Sequence, residues 1–164
     1  MKRFRSGAIG LGLLTLALVI TGCSFLGYPT GQDRVEADTL QDEIANYREW
    51  DTPDWVEGLQ PTVHPVPSFV RYYVNDIGMQ DIDELAPGSI IVKEQYDENQ
   101  ELMNLTVMKR IAGYNPEHGD WFWAIADTQG RWENAGRLNS WYTSACIDCH
   151  SRADAGGDYV WIND

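Results

Sequence analysis

The chain has 164 residues, 43% of them hydrophobic and 12% aromatic, enough for one modest domain with its own core. Its 12 Lys and Arg stand against 25 Asp and Glu, a net charge of −13, which argues against nucleic-acid binding and against docking on anionic lipid. That balance leaves small neutral or cationic substrates, a basic protein partner, or a merely solvated acidic surface.

At the amino terminus Lys2, Arg3 and Arg5 precede an apolar run from Ala8 to Ile20. A basic start, a short apolar stretch and small residues before a cut site make a secretory signal over residues 1–22. The run is too short to span a bilayer comfortably. Ile20-Thr21-Gly22-Cys23 resembles the lipobox of bacterial lipoproteins, in which the cysteine becomes the lipidated first residue. An ordinary signal peptide with a chance cysteine is the alternative. Several acyl chains on Cys23 give stable anchoring. Ser24 in the next position favours the outer over the inner membrane of a two-membrane bacterium. Loss of the three basic residues leaves nine basic against 25 acidic, a mature charge of about −16.

Residues 23–37, with Gly27, Pro29 and Gly31, read as a lipidated tether, and the folded domain as 38–164. A helix follows, with Asp38 as N-cap and Gln41 three residues on. Leu40, Ile44, Tyr47 and Asp51 share its face, and it fails at Asp51-Thr52-Pro53. Pro53 to Pro67 holds four prolines and is loop, partly pinned by Trp55. Beyond Ser68 the period changes to two. Phe69 to Val74 reads as a strand ended by Asn75-Asp76, and Ser89 to Tyr96 as a second after the Pro87-Gly88 turn. Asp97-Glu98-Asn99-Gln100 reverses the chain into a third, Leu102 to Ala112, with Met103, Leu105, Val107 and Ile111 on one face. Trp121 to Ala126 is a fourth. Consecutive strands on short turns form an antiparallel meander. Arg131 to Tyr142 reads as helix or irregular chain, and Tyr159 to Ile162 as a short last strand.

Cys146-Ile147-Asp148-Cys149-His150 is the stretch that carries chemistry. Two thiols three positions apart with a histidine directly after is the spacing that attaches a c-type haem. Each cysteine adds to one vinyl group as a thioether, and the adjacent imidazole becomes the proximal iron ligand. Other readings are a disulfide, half of a zinc site, or a thioredoxin-like redox pair. Zinc needs a second Cys or His pair, and the only other cysteine is Cys23 far upstream. A thioredoxin-like pair belongs near the start of a βαβ unit rather than near the chain's end. Export and haem support each other, because c-type haem is attached outside the cytoplasm. Only fourteen residues follow His150 and none is methionine, which separates this chain from small helical carriers with an early motif and a downstream axial methionine. Period-two strands argue against a four-helix bundle. The expected architecture is therefore α+β: an antiparallel meander with an N-terminal helix and a C-terminal CxxCH haem segment packed on the sheet.

Several stretches resemble the cytochrome P-460 family, which includes the β-sheet cytochromes c′. They are Asn46-Tyr47-Arg48-Glu49-Trp50, Arg71 to Asp76, Pro87 to Glu94, Gly119-Asp120-Trp121-Phe122-Trp123, the Cys146 to His150 motif and Asp158-Tyr159-Val160-Trp161. The match runs in order over roughly residues 40–164, and only CxxCH is specific alone. The resemblance implies a monohaem c-type domain, usually dimeric, with His150 proximal and the opposite side of the haem open or weakly filled. Some members carry a lysine bonded to the haem edge and oxidise hydroxylamine; others lack that bond and bind NO or CO. Lys93 matches the cross-linking position. It alternates with Ile91, so it is either haem-directed or a snorkelling surface residue. Efficient cross-linked members can carry a carboxylate just before CxxCH, whereas Asn134 to Ala145 has no Asp or Glu; Glu133 or a loop residue would have to substitute. The implied partners are a small nitrogen-containing ligand and a redox protein that takes electrons singly, with the lipid anchor holding the chain on the periplasmic side of the membrane. A simple electron carrier with two strong axial ligands is the remaining class.

A sixth ligand has candidates in His64, His118, Met79, Met103 and Met108, each of which also has an ordinary surface or core role. Met103 and Met108 alternate, so at most one of them faces the haem. Trp121, Trp123, Trp132, Trp141, Phe69 and Tyr72 read as core, some of it walling the haem. Arg48 or Arg71 is a candidate partner for haem propionates, and Asp81, Asp83 and Glu84 read as a solvated loop.

Overall fold

Alternating apolar residues after Ser68 pair into a single sheet. The computed structural model describes Pro29 and residues 31–62, 67–137, 141–153 and 159–160, with side chains from 146 onward in the last helix. Six strands, β1 (Gln60–Pro61), β2 (Phe69–Val74), β3 (Ile90–Tyr96), β4 (Leu102–Arg110), β5 (Trp121–Ala126) and β6 (Trp132–Gly136), lie in sequence order, each antiparallel to the next. Three helices accompany them: α1 (Gln32–Glu43), α2 (Asp76–Gln80) and α3 (Trp141–His150). The class is α+β, and the sheet is the meander that the short turns predict.

Because side chains alternate, each strand feeds two cores. On one face Tyr73, Ile90, Val92, Val107, Phe122, Ala124 and Ala135 pack under Ala37, Leu40 and Ile44 of the α1 region. On the other Val74, Ile91, Met108, Trp121 and Trp123 pack with Leu85, Val160 and Ile147 of α3. The central strands β3 to β5 are therefore apolar on both sides. Lys109, on the first face, reaches Glu43 Oε2 at 2.5 Å and ties the end of α1 to β4.

The helix starts at Gln32, six residues before the expected N-cap, so Gln32 to Ala37 of the expected tether is helix packed on the domain. Its inward stripe runs Asp33, Ala37, Leu40, Ile44, at helical spacing. Asp38 lies inside the helix and pairs with Arg34 at 2.8 Å. The helix stops at Glu43, and Tyr47–Glu49 forms a separate 3₁₀ turn. Trp55 is 55% exposed, and its neighbour Val56 is the loop residue that packs against the second core. Met103 is also exposed, unlike Leu105 and Val107 two and four residues on. Residues 132–136, expected as helix or irregular chain, are strand β6 paired to β5. Tyr159 and Val160 are not in a strand, and Tyr159 sits at φ 65°. Asn75 ends β2 as expected but also caps α2, accepting from Gly78 N at 3.0 Å.

Candidate functional site

Strand register decides which residues share the face that α3 covers. Val74, Ile91, Met108, Trp123 and Gly136 form one row across β2 to β6. Tyr72, Lys93, Thr106, Ile125 and Asn134 form the next. Lys93 therefore projects from β3 on the same side as the core beneath Ile147 and Cys146. The alternation with Ile91 that left it either inward or snorkelling resolves inward. Lys93 is half-buried, and that desolvation lowers the pKa of its ammonium; charge on Cys146 and Cys149 works against the shift.

The motif itself is the C-terminal half of α3. Cys146 and Cys149 are one helical turn apart and His150 is four residues from Cys146, so the three sit along one side of the helix. Ile147 is the buried anchor at 3% exposure; Cys146 is half-buried and Cys149 exposed. Both thiols are free. Burial pushes the Cys146 thiol up, and the positive charge of Lys93 pulls it back.

His150 is held from two sides. Its ring meets Trp123 edge-on, with centroids 4.7 Å apart and planes at 66°. Its Nδ1 lies 2.7 Å from the carbonyl oxygen of Tyr159. A carbonyl only accepts, so Nδ1 carries the proton and Nε2 presents a lone pair. Burial pushes the imidazole pKa down to about 4 against the pull of the Tyr159 carbonyl, with the Lys93 charge adding to the fall. The ring is thus neutral at pH 7, the form that binds a metal.

This donor set fits the group that CxxCH implies. It offers two free thiols, a neutral imidazole whose remaining N–H is already satisfied by a backbone carbonyl, and an amine on the facing strand. A bond from the imidazole N–H to a main-chain carbonyl is the arrangement that fixes tautomer and ring direction in ligating histidines. Family models give no match to this chain, and neither do curated proteins. The site is read from its own residues.

The remaining candidates separate by face. Met108 is buried on the α3 side and Met79 packs at its margin, so both belong to the site's surroundings. Met103 alternates away and is exposed. His118 lies in the turn Pro116–His118, its Nδ1 3.3 Å from the Tyr159 hydroxyl. His64 and Cys23 lie outside the described residues, as does the side chain of Trp141. Trp121, Trp123 and Tyr72 line the α3 side, whereas Trp132 turns to the opposite core and donates Nε1–H to the Ala37 carbonyl at 2.9 Å.

Both arginines offered for propionates are committed to that opposite face. Arg48 binds Glu94 at 2.7 Å, and Arg71 is directly opposite Glu94 in register. Glu94 itself is 1% exposed and accepts from Tyr47 at 2.7 Å, Arg48 Nε at 2.8 Å, Tyr73 at 3.3 Å and Tyr96. Asp81 Oδ1 accepts from the backbone N–H of Asp83 and Glu84 and organises their turn. Glu133 is exposed, at a position that alternates with buried Asn134.

Two contributors to the site around His150 differ in how far the sequence announced them. Tyr159 acts at the site through a backbone carbonyl, which no residue type announces. Trp123 was visible as part of an aromatic strand, but only the pairing of Met108 with Trp123 and the docking of α3 bring it to His150.

Proposed function

We propose that this chain is a monohaem c-type cytochrome of the P-460 kind, acting on small nitrogen ligands by oxidising hydroxylamine or NO and passing electrons singly to an external acceptor. The observation that carries the reading is Lys93 on the face under α3, close enough for its charge to reach Cys146, Cys149 and His150. A surface lysine has no such neighbours. Bound there, the haem supplies an iron with an open coordination position and one-electron chemistry. Cys146 and Cys149 would hold the ring, and the neutral imidazole of His150 would offer Nε2 to the iron. Burial favours the uncharged amine of Lys93, the form with a free lone pair. Trp121, Trp123 and Tyr72 keep water from the proximal surroundings. Cys23 anchors the protein, by this reading, to the periplasmic side of the outer membrane.

Matured protein supplied with hydroxylamine and a soluble one-electron acceptor is expected to reduce the acceptor steadily. Lys93→Ala should slow this by at least about tenfold. Absence of steady reduction by the parent protein sinks the catalytic reading.

One observation favours a second reading, a non-catalytic NO- or CO-binding protein of the β-sheet cytochrome c′ kind. Asn134 to Ala145 holds no Asp or Glu, and Glu133 is exposed. Proton removal from a bound N–H group would then lack a base. Rapid CO binding by the reduced protein without acceptor reduction would decide for this reading.

A further inference from the structure

We propose that Tyr159 is a positioning residue for His150, with its phenol bracing, from the Pro116–His118 turn, the carbonyl that fixes the imidazole. This deepens the haem-attachment reading and rests on it. Three independent restraints meet at Tyr159. Its carbonyl oxygen accepts from His150 Nδ1 at 2.7 Å. Its hydroxyl donates to the Glu117 carbonyl at 3.4 Å and lies 3.3 Å from His118 Nδ1, and its ring meets the His118 ring edge-on with centroids 6.0 Å apart. Its backbone is at φ 65°, a conformation that a β-carbon-bearing residue holds only where its surroundings impose it.

The turn that receives the phenol is itself shaped for the task. Gly119 sits at φ 67°, and a Cβ there would stand 3.2 Å from Tyr159 Cδ2 and 3.0 Å from Trp121 Cδ1. The turn therefore approaches the tyrosine as closely as a backbone without a side chain can. Neighbouring Val160 is 2% exposed in the α3-side core and anchors the chain beyond the carbonyl. A carbonyl held at both ends keeps a short bond to Nδ1–H, and a firmly accepted proton gives the imidazole more anionic character as a ligand. Releasing the phenol should let the carbonyl drift, weaken that bond and make Nε2 a poorer donor.

The test uses haem-matured full-length protein carrying Tyr159→Phe, His118→Phe, or both. Two readouts are the iron–imidazole stretching band of the reduced protein and the midpoint potential. Tyr159→Phe is expected to move the band to lower frequency and the potential upward, since a weaker donor favours the reduced iron. His118→Phe leaves Tyr159 in place and should give a smaller shift in the same directions. The double variant should move no further than Tyr159→Phe, because both changes break one brace. Haem-loaded variants with band and potential unchanged overturn this inference alone. A parent chain that takes up no covalent haem overturns the reading above and this inference together.

Discussion

Alternation along a strand fixes the side on which Glu94 lies but not the environment it meets there. Alternation along β3 sends it to the α1 side, opposite Lys93, but a carboxylate in an amphipathic strand is ordinarily solvated. Here it is buried, and burial by itself raises its pKa; hydrogen bonds from Tyr96, Tyr47 and Arg48 outweigh that and hold it below the usual carboxylate value. With a depressed folded pKa, its contribution is full above the unfolded value and is lost as pH falls through the folded one. Urea unfolding across a pH series should show stability declining on the acid side, with a flatter acid limb in Glu94→Gln. At neutral pH that substitution leaves three phenols with a weaker acceptor and frees an Arg48 side chain that is already 61% exposed, at a cost of about 2 kcal/mol. A variant as stable as the parent at pH 7 would contradict this account. The thiols and the imidazole were legible as candidate site residues from their spacing, and Lys93 from the resemblance, since alternation left its direction open. The Glu94 cluster was not, because its partners Tyr47, Arg48, Tyr73 and Tyr96 are gathered from the Tyr47–Glu49 turn, β2 and β3.

Elements were legible where apolar periodicity was uninterrupted. Strands β2 and β5 have the expected bounds, and β3 and β4 differ only at their ends. The start of α1 was hidden because its first inward position is Asp33, a charged residue in an apolar stripe. Asp33 is 4% exposed and is held by the Tyr114 hydroxyl at 2.5 Å, with Arg137 Nε 3.6 Å away. Strand β6 was hidden for a different reason. Trp132-Glu133-Asn134-Ala135-Gly136 has little intrinsic strand preference, so its pairing with β5 and the cover of α1 impose the conformation. Helix α1 has only an exposed Arg34–Asp38 pair to support it locally, and its attachment comes from burial of Ala37, Leu40 and Ile44. Leu40→Ala should therefore cost about 3 kcal/mol by urea unfolding, the range for a fully buried leucine. A cost below about 1 kcal/mol would mean that α1 is not integral to the first core.

At the scale of the molecule, a sheet with two apolar faces needs two covers, and α1 and α3 supply them. The consequence is a division of labour: buried carboxylate networks lie on the α1 side, thiols, imidazole and lysine on the α3 side. Among the described residues no helix is long and apolar enough to cross a membrane. The proposed attachment rests on the Ile20-Thr21-Gly22-Cys23 stretch, which lies outside them. Expressed with its signal, the chain should partition into the membrane fraction, and Cys23→Ala should release it in soluble form; a parent chain already soluble would end the lipoprotein reading.

The proposed function turns on whether a c-type haem held by Cys146, Cys149 and His150 is bonded to Lys93. Its most direct test is the optical spectrum of the reduced, matured protein beside that of Lys93→Ala. The account predicts a Soret band displaced far to the red in the parent and an ordinary c-type spectrum in the variant. An ordinary five-coordinate c-type spectrum in both would contradict it, leaving Lys93 a strand residue and the protein a gas binder.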